Sequence, residues 1–150
     1  KENREIPPLD YQRVYRVKED YPHLTIAING GIQTMADVAT HLAHVDGVMV
    51  GREAYQNPYM LADVDRLVFG DTTTVPSRHQ IVHNMIPYIE RQLAHGNQLA
   101  HVTRHMLGLF QGMVGARAWR RHLSEHACRK GAGIQVLLDA ASLVPETSGG

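Results

Sequence analysis

Apolar residues follow two different rhythms along the chain. Between residues 24 and 58 they come in short, partly β-branched runs broken by glycine, whereas from residue 78 onward they recur at helical spacing. In the first region the run Thr25-Ile26-Ala27-Ile28, part of a strand predicted over 24–28, passes into Asn29-Gly30-Gly31-Ile32. A helix follows from Thr34 to about Ala43, and Thr34 with Asp37 forms a capping-box pattern in which Asp replaces the usual Glu or Gln. Gly47-Val48-Met49-Val50 then reads as a second strand, passing through Gly51-Arg52 into a short helix closed by Asn57-Pro58. A helix over 59–69 completes the region. Upstream, Asp10 caps a helix reaching Asp20, with Val14 and Val17 apolar, Arg13, Arg16 and Lys18 solvated, and Tyr21-Pro22 as its stop.

The polar stretch 70–77 separates this region from an all-helical one. Over 78–95, Ile81, Val82, Met85, Ile89 and Leu93 share a face, Gly96 ends the helix, and Pro87 is expected to kink or split it. Helices are predicted over 98–110, 116–130 and 134–143, with turns at Gly112-Met113-Val114-Gly115 and Gly131-Ala132-Gly133; residues 146–150 form a frayed tail. The division is therefore 1–70, a linker at 71–77, and a helical bundle over 78–145.

Two consecutive strand–glycine–helix units have a chemical consequence. Glycine at such a turn lets backbone N–H groups approach an anion, and a helix start adds the positive end of its dipole. Side by side, two such turns make the phosphate site found after the last strands of a (β/α)8 barrel. Two units cannot close a barrel or cover a parallel sheet on both faces, so the first half is expected to need further chain; a polar, Pro-Pro-ended start without an initiator Met agrees, and a C-terminal fragment is expected.

Charge changes the picture for the bundle. The chain is neutral overall, yet residues 1–77 hold 7 Lys/Arg against 11 Asp/Glu, while residues 78–150 hold 8 against 4 and 7 of the 10 histidines. That asymmetry points the second half toward something anionic. Arg117, Arg120 and Arg121 share a helix face, Arg104 can join them across a hairpin, and guanidinium groups grip phosphates bidentately. A solvated face with i,i+4 pairs is the alternative, but only Glu125 is near as an acidic partner. His101/His105 and His122/His126 are spaced for a helical metal site, though no HExxH glutamate or cysteine pair accompanies them. A single cysteine excludes an internal disulfide framework and fits a reducing, cytoplasmic setting. That residue, Cys128, reads as a small buried hydrophobe in mid-helix. No apolar stretch approaches a membrane span.

The motifs Ile28-Asn29-Gly30-Gly31-Ile32, Asp46-Gly47-Val48-Met49-Val50-Gly51-Arg52-Glu53-Ala54-Tyr55-Gln56-Asn57-Pro58 and Thr103-Arg104-His105-Met106-Leu107-Gly108-Leu109-Phe110-Gln111-Gly112, followed by Gly115-Ala116-Arg117 and Trp119-Arg120-Arg121, resemble tRNA-dihydrouridine synthases, closely their A subfamily. The opening Lys1-Glu2-Asn3-Arg4-Glu5-Ile6-Pro7-Pro8 matches as well. The glycine turns are shared with other flavin barrels, and the bundle motif is the more specific. The resemblance implies the last strand–helix units of a TIM barrel followed by a helical tRNA-binding bundle, in an enzyme that reduces D-loop uridines with hydride from NADPH through FMN. It implies FMN phosphate at Asn29, Gly30, Gly31, Gly51 and Arg52, and tRNA at Lys1, Arg4, Arg117 and Arg120. The cysteine that protonates uracil belongs to an earlier barrel loop, and Cys128 is not in its motif; this chain alone is expected to be inactive. The full-length enzyme is expected to be a cytoplasmic monomer. An RNA-binding scaffold without chemistry and a non-RNA flavin oxidoreductase of the same barrel type are the alternatives.

Overall fold

The computed structural model describes residues 8–146. Its first half is one parallel strand pair with helices packed around it. Helix α1 (Tyr11–Asp20) begins where the Asp10 carboxylate accepts the backbone N–H of Arg13. Strand β1 (Ala27–Asn29), helix α2 (Met35–Leu42) and strand β2 (Gly47–Met49) follow, and the strands pair in parallel with Ala27 opposite Gly47 and Asn29 opposite Met49. The capping box at α2 is formed: the Thr34 hydroxyl accepts from Asp37 N–H and the Asp37 carboxylate accepts from Thr34 N–H. Hydrogen bonding with the Thr34 side chain, then with the Gln33 and Thr34 amides, holds the Asp37 carboxyl below the ordinary carboxylate range.

The first strand starts later than its apolar run predicts. Residues 22–26 are held by side chains as much as by backbone, although the Ile26 carbonyl accepts from the Asp46 and Gly47 amides. Lys18 Nζ donates to the carbonyls of Pro22 and Leu24, and the Asp46 carboxylate accepts from Ile26 N–H at 2.8 Å. Lys18 and Asp46 also pair directly at 2.8 Å, so Lys18 is a clip between α1 and the approach to β2, not a solvated surface charge. The Ile26 amide first and the ammonium second depress the Asp46 carboxyl. Tyr15, Ile28, Ile32, Val38 and Val45 form the buried core of this half, and the Tyr15 hydroxyl meets the buried His41 Nδ1 at 2.6 Å.

After β2 come the short helix α3 (Arg52–Gln56), a 3-10 helix over Pro58–Asp63, and α4 (Val64–Phe69), ended by Gly70 in the left-handed region. The single helix expected over 59–69 is thus two pieces. Its first piece is tied to the following region: the Tyr59 hydroxyl donates to Pro76 O, and the Arg78 guanidinium sits 3.8 Å over the Tyr59 ring.

The second half is helical. Helix α5 (Arg78–Ala94) starts at a second capping box, Ser77 with Gln80, and runs unbroken through Pro87. Both Pro87 and His83, whose carbonyl loses its partner, are exposed, so water can satisfy that carbonyl and the expected split does not occur. Helix α6 (Leu99–Thr103) stops well short of residue 110; residues 104–113 instead advance by successive i→i+3 bonds. The cause is a close approach. Gly108 lies against the Gln56 carbonyl, and a Cβ there would stand 2.8 Å from Gln56 C and 3.1 Å from Pro58 Cδ. Helix α7 (Ala116–His126) and helix α8 (Ile134–Ser142) complete the bundle. Its core centres on Trp119, packed edge-on at 4.8 Å against Phe110, with Val82, Ile89, Leu123 and Leu137 around them. The two buried cores share no residue. Among the described residues no helix is long and apolar enough to cross a membrane.

Candidate cofactor and nucleic-acid sites

Because β1 and β2 are parallel and in register, both strands leave the sheet at the same end. The turns that follow meet there. Asn29, Gly30, Gly31, Gly51 and Arg52 line one open cleft of about 460 Å³, so all five residues predicted to hold a cofactor phosphate are brought together. Gly30 and Gly31 have φ of 113° and 67°, a conformation that side-chain-bearing residues rarely adopt. Leu9 and Tyr11 fill the space a Cβ would need, and the Tyr11 hydroxyl donates to Gly30 O at 2.8 Å. That bond ties one carbonyl, a group that repels anions, back onto α1. Arg52 is exposed and belongs to none of the ion pairs among the described residues. Glu53 also lines the cleft and works against an anion. Helix α3 has only five residues, so its dipole would add little to anion binding there. Gln33, Met49 and Gln56 line it as well, and nothing in their spacing along the chain marks them.

The basic face of α7 is present. Arg117 and Arg121 are exposed, and Arg120 is half-buried with its Nη1 donating to Gln111 Oε1 at 3.5 Å. None of the three enters an ion pair among the described residues, Glu125 included. Arg104 sits just past α6, not on a helix hairpin, and borders a small cavity with Leu123 and Ser124 of α7. Lys1 and Arg4 lie outside the described residues.

The histidines disperse. His122 and His126 stack at 4.3 Å while His126 Nδ1–H donates to His122 O, and His105 turns toward Tyr55. Among the described residues no group of three or more His, Cys, Asp or Glu side chains is placed to hold a metal ion. Cys128 is exposed and lies beyond the end of α7, which corrects the reading of a buried residue in mid-helix. The helix stops at His126, so Cys128 turns outward while its neighbour Ala127 takes the buried position.

Residues 1–144 match the dihydrouridine synthase (Dus) family model. The chain is 60% identical over 145 residues to the tRNA-dihydrouridine(20/20a) synthase of Vibrio cholerae, an alignment that covers 97% of this chain and 44% of that protein. To the protein of the same name from Shewanella oneidensis it is 64% identical over 137 residues, covering 91% and 41%. To the one from Escherichia coli K12 it is 60% identical over 146 residues, covering 97% and 42%. The chain therefore spans less than half the length of the curated relatives it matches.

Proposed function

The chain belongs to the dihydrouridine synthase family, and on that premise we propose that it supplies the cofactor-phosphate site and the RNA-facing bundle of an enzyme that reduces uridine to 5,6-dihydrouridine in the tRNA D-loop. The observation that carries the proposal is the cleft at the ends of the paired strands, where both glycine turns and Arg52 converge. A phosphate monoester fits the donor set: close-approach backbone at Gly30, Gly31 and Gly51, the Asn29 side chain, and the Arg52 guanidinium, which enters no ion pair among the described residues. FMN is the group proposed there, and when bound it supplies hydride transfer, with NADPH as the reductant. The residues of this chain hold and orient its phosphate end. Residues 1–70 are read as the last part of a TIM barrel, 71–77 as a linker, and 78–145 as the tRNA-binding unit, with Lys1, Arg4, Arg117 and Arg120 on the RNA backbone. The whole enzyme is proposed to be a cytoplasmic monomer.

The test uses the intact protein with unmodified tRNA and NADPH, following flavin absorbance and dihydrouridine by mass. Flavin that co-purifies and dihydrouridine that forms only with both substrates are expected. An intact protein that binds tRNA yet carries no flavin and forms no product would replace this reading with a scaffold.

A further inference from the structure

We propose that Tyr55, His105 and Arg104 together form a binding site for an RNA backbone phosphate, separate from the arginines of α7; this rests on the tRNA reading above. The three side chains make one hydrogen-bonded line. Arg104 Nε lies 3.0 Å from His105 Nε2, and His105 Nδ1 lies 3.1 Å from the Tyr55 hydroxyl, with the Tyr55 and His105 rings 5.8 Å apart at 74°.

The direction of each bond follows from what the groups can do. Arginine has no acceptor, so Nε–H donates and His105 Nε2 accepts. A neutral imidazole that accepts at Nε2 carries its proton on Nδ1, so Nδ1–H donates to the Tyr55 oxygen. The phenol has then used a lone pair and kept its own O–H. Tyr55 is 58% exposed, and Arg104 and His105 are exposed too. What the line offers to solvent is therefore donors: the Tyr55 O–H and the Nη groups of Arg104. Arg104 enters no ion pair among the described residues. An acceptor-only anion is the complement of such a set, and a phosphodiester is one.

Position selects RNA. Tyr55 stands on α3, whose Arg52 and Gln56 line the phosphate cleft. At the other end, Arg104 shares a cavity of about 80 Å³ with Ser124, one turn along α7 from Arg120. The line thus bridges the cleft and the basic face, where a strand lying on α7 and reaching the cleft would pass.

The test measures tRNA binding by the intact protein between low and moderate salt. Tyr55→Phe keeps the ring and removes only the O–H, and a loss of roughly 5- to 20-fold with an unchanged salt slope is expected. Arg104→Ala should weaken binding and lower the slope by roughly one unit. Thermal melts of both variants accompany the measurement. Wild-type affinity and slope in both, with or without a lowered Tm, would show a purely structural contact and overturn the proposal, while weakened binding by Arg117→Ala/Arg120→Ala in the same assay would leave the tRNA reading standing. No tRNA binding by the unsubstituted protein would overturn both.

Discussion

Replacing Gly108 by Ala tests whether the seam between the two halves is as tight as it looks. The added Cβ would face the Gln56 carbonyl group and stand 3.1 Å from Pro58 Cδ. Neither neighbour is the end of a flexible side chain, so no rotamer change relieves the contact. Overpacking of this kind costs about 1–3 kcal/mol. The alternative is for the seam to open, and the cost of that route follows from what would be lost. The Tyr55–His105 hydrogen bond contributes about 0.5–1.5 kcal/mol, and the Arg78–Tyr59 cation–π contact about 0.5–2 kcal/mol. Both routes lead to about 2 kcal/mol; at an unfolding entropy of about 2.1 cal/mol/K per residue, over an intact protein more than twice as long as this chain, Tm falls by about 3 °C. Circular dichroism melts of the intact protein give the number. If the seam opens, Tyr55→Phe made in the Gly108→Ala background should add no further loss, because its hydrogen bond has already gone. A Gly108→Ala protein that melts with the wild type would refute the argument.

Three further outcomes follow from other parts of the molecule. Arg117→Ala/Arg120→Ala should lower the slope of log affinity against log salt by roughly 1.4–1.8 units, so that the deficit against wild type is about 10-fold larger at 50 mM than at 200 mM salt; parallel slopes would remove these arginines from the RNA surface. Gly31→Val should cost flavin retention and stability together, since its φ of 67° suits glycine and a Cβ would lie 2.8 Å from Leu9 and from the Tyr11 hydroxyl; a variant with full flavin content would refute the phosphate site. The Asp46 carboxyl is depressed in the folded chain, so its contribution is complete above the ordinary carboxylate range and is lost as pH falls through the folded value. Asp46→Asn should therefore lower stability at neutral pH and flatten the acid limb of a pH–stability curve, and an unchanged limb would show the clip to be inert.

What could be read from the chain was what local rules decide. The Thr34–Asp37 capping box, the apolar face of α5 and the two glycine turns depend on residues a few positions apart, and each stands where its spacing implies. Contacts between distant residues overrode the rest. The helical rhythm at 106, 107, 109 and 110 was real, yet Gly108 had to meet the Gln56 backbone and the segment became turns. Lys18 looked like any solvated lysine until Asp46 came to face it, 28 positions on. No spacing rule marks Tyr15 as core, because its partner, His41, is a polar residue that is buried for packing and hydrogen bonding. The Tyr55–His105–Arg104 line had only a faint signal, an aromatic after the Gly-Arg turn, and no spacing rule links residues 50 apart.

Two cores without a common residue also bear on how the molecule loses structure. Each hydrophobic cluster can open at its own free energy, resisted by the seam of Gly108, Tyr55 and Arg78 and by the contacts of Tyr59 with Pro76 and the bundle core. Amide hydrogens of Val82, Ile89 and Trp119 would then exchange through one opening event, those of Ile28 and Val38 through another. A phosphate seated on the glycine turns would slow the second set and leave the first untouched. The bundle core would then keep its structure through openings of the strand pair, and exchange measured with and without added phosphate separates the two events.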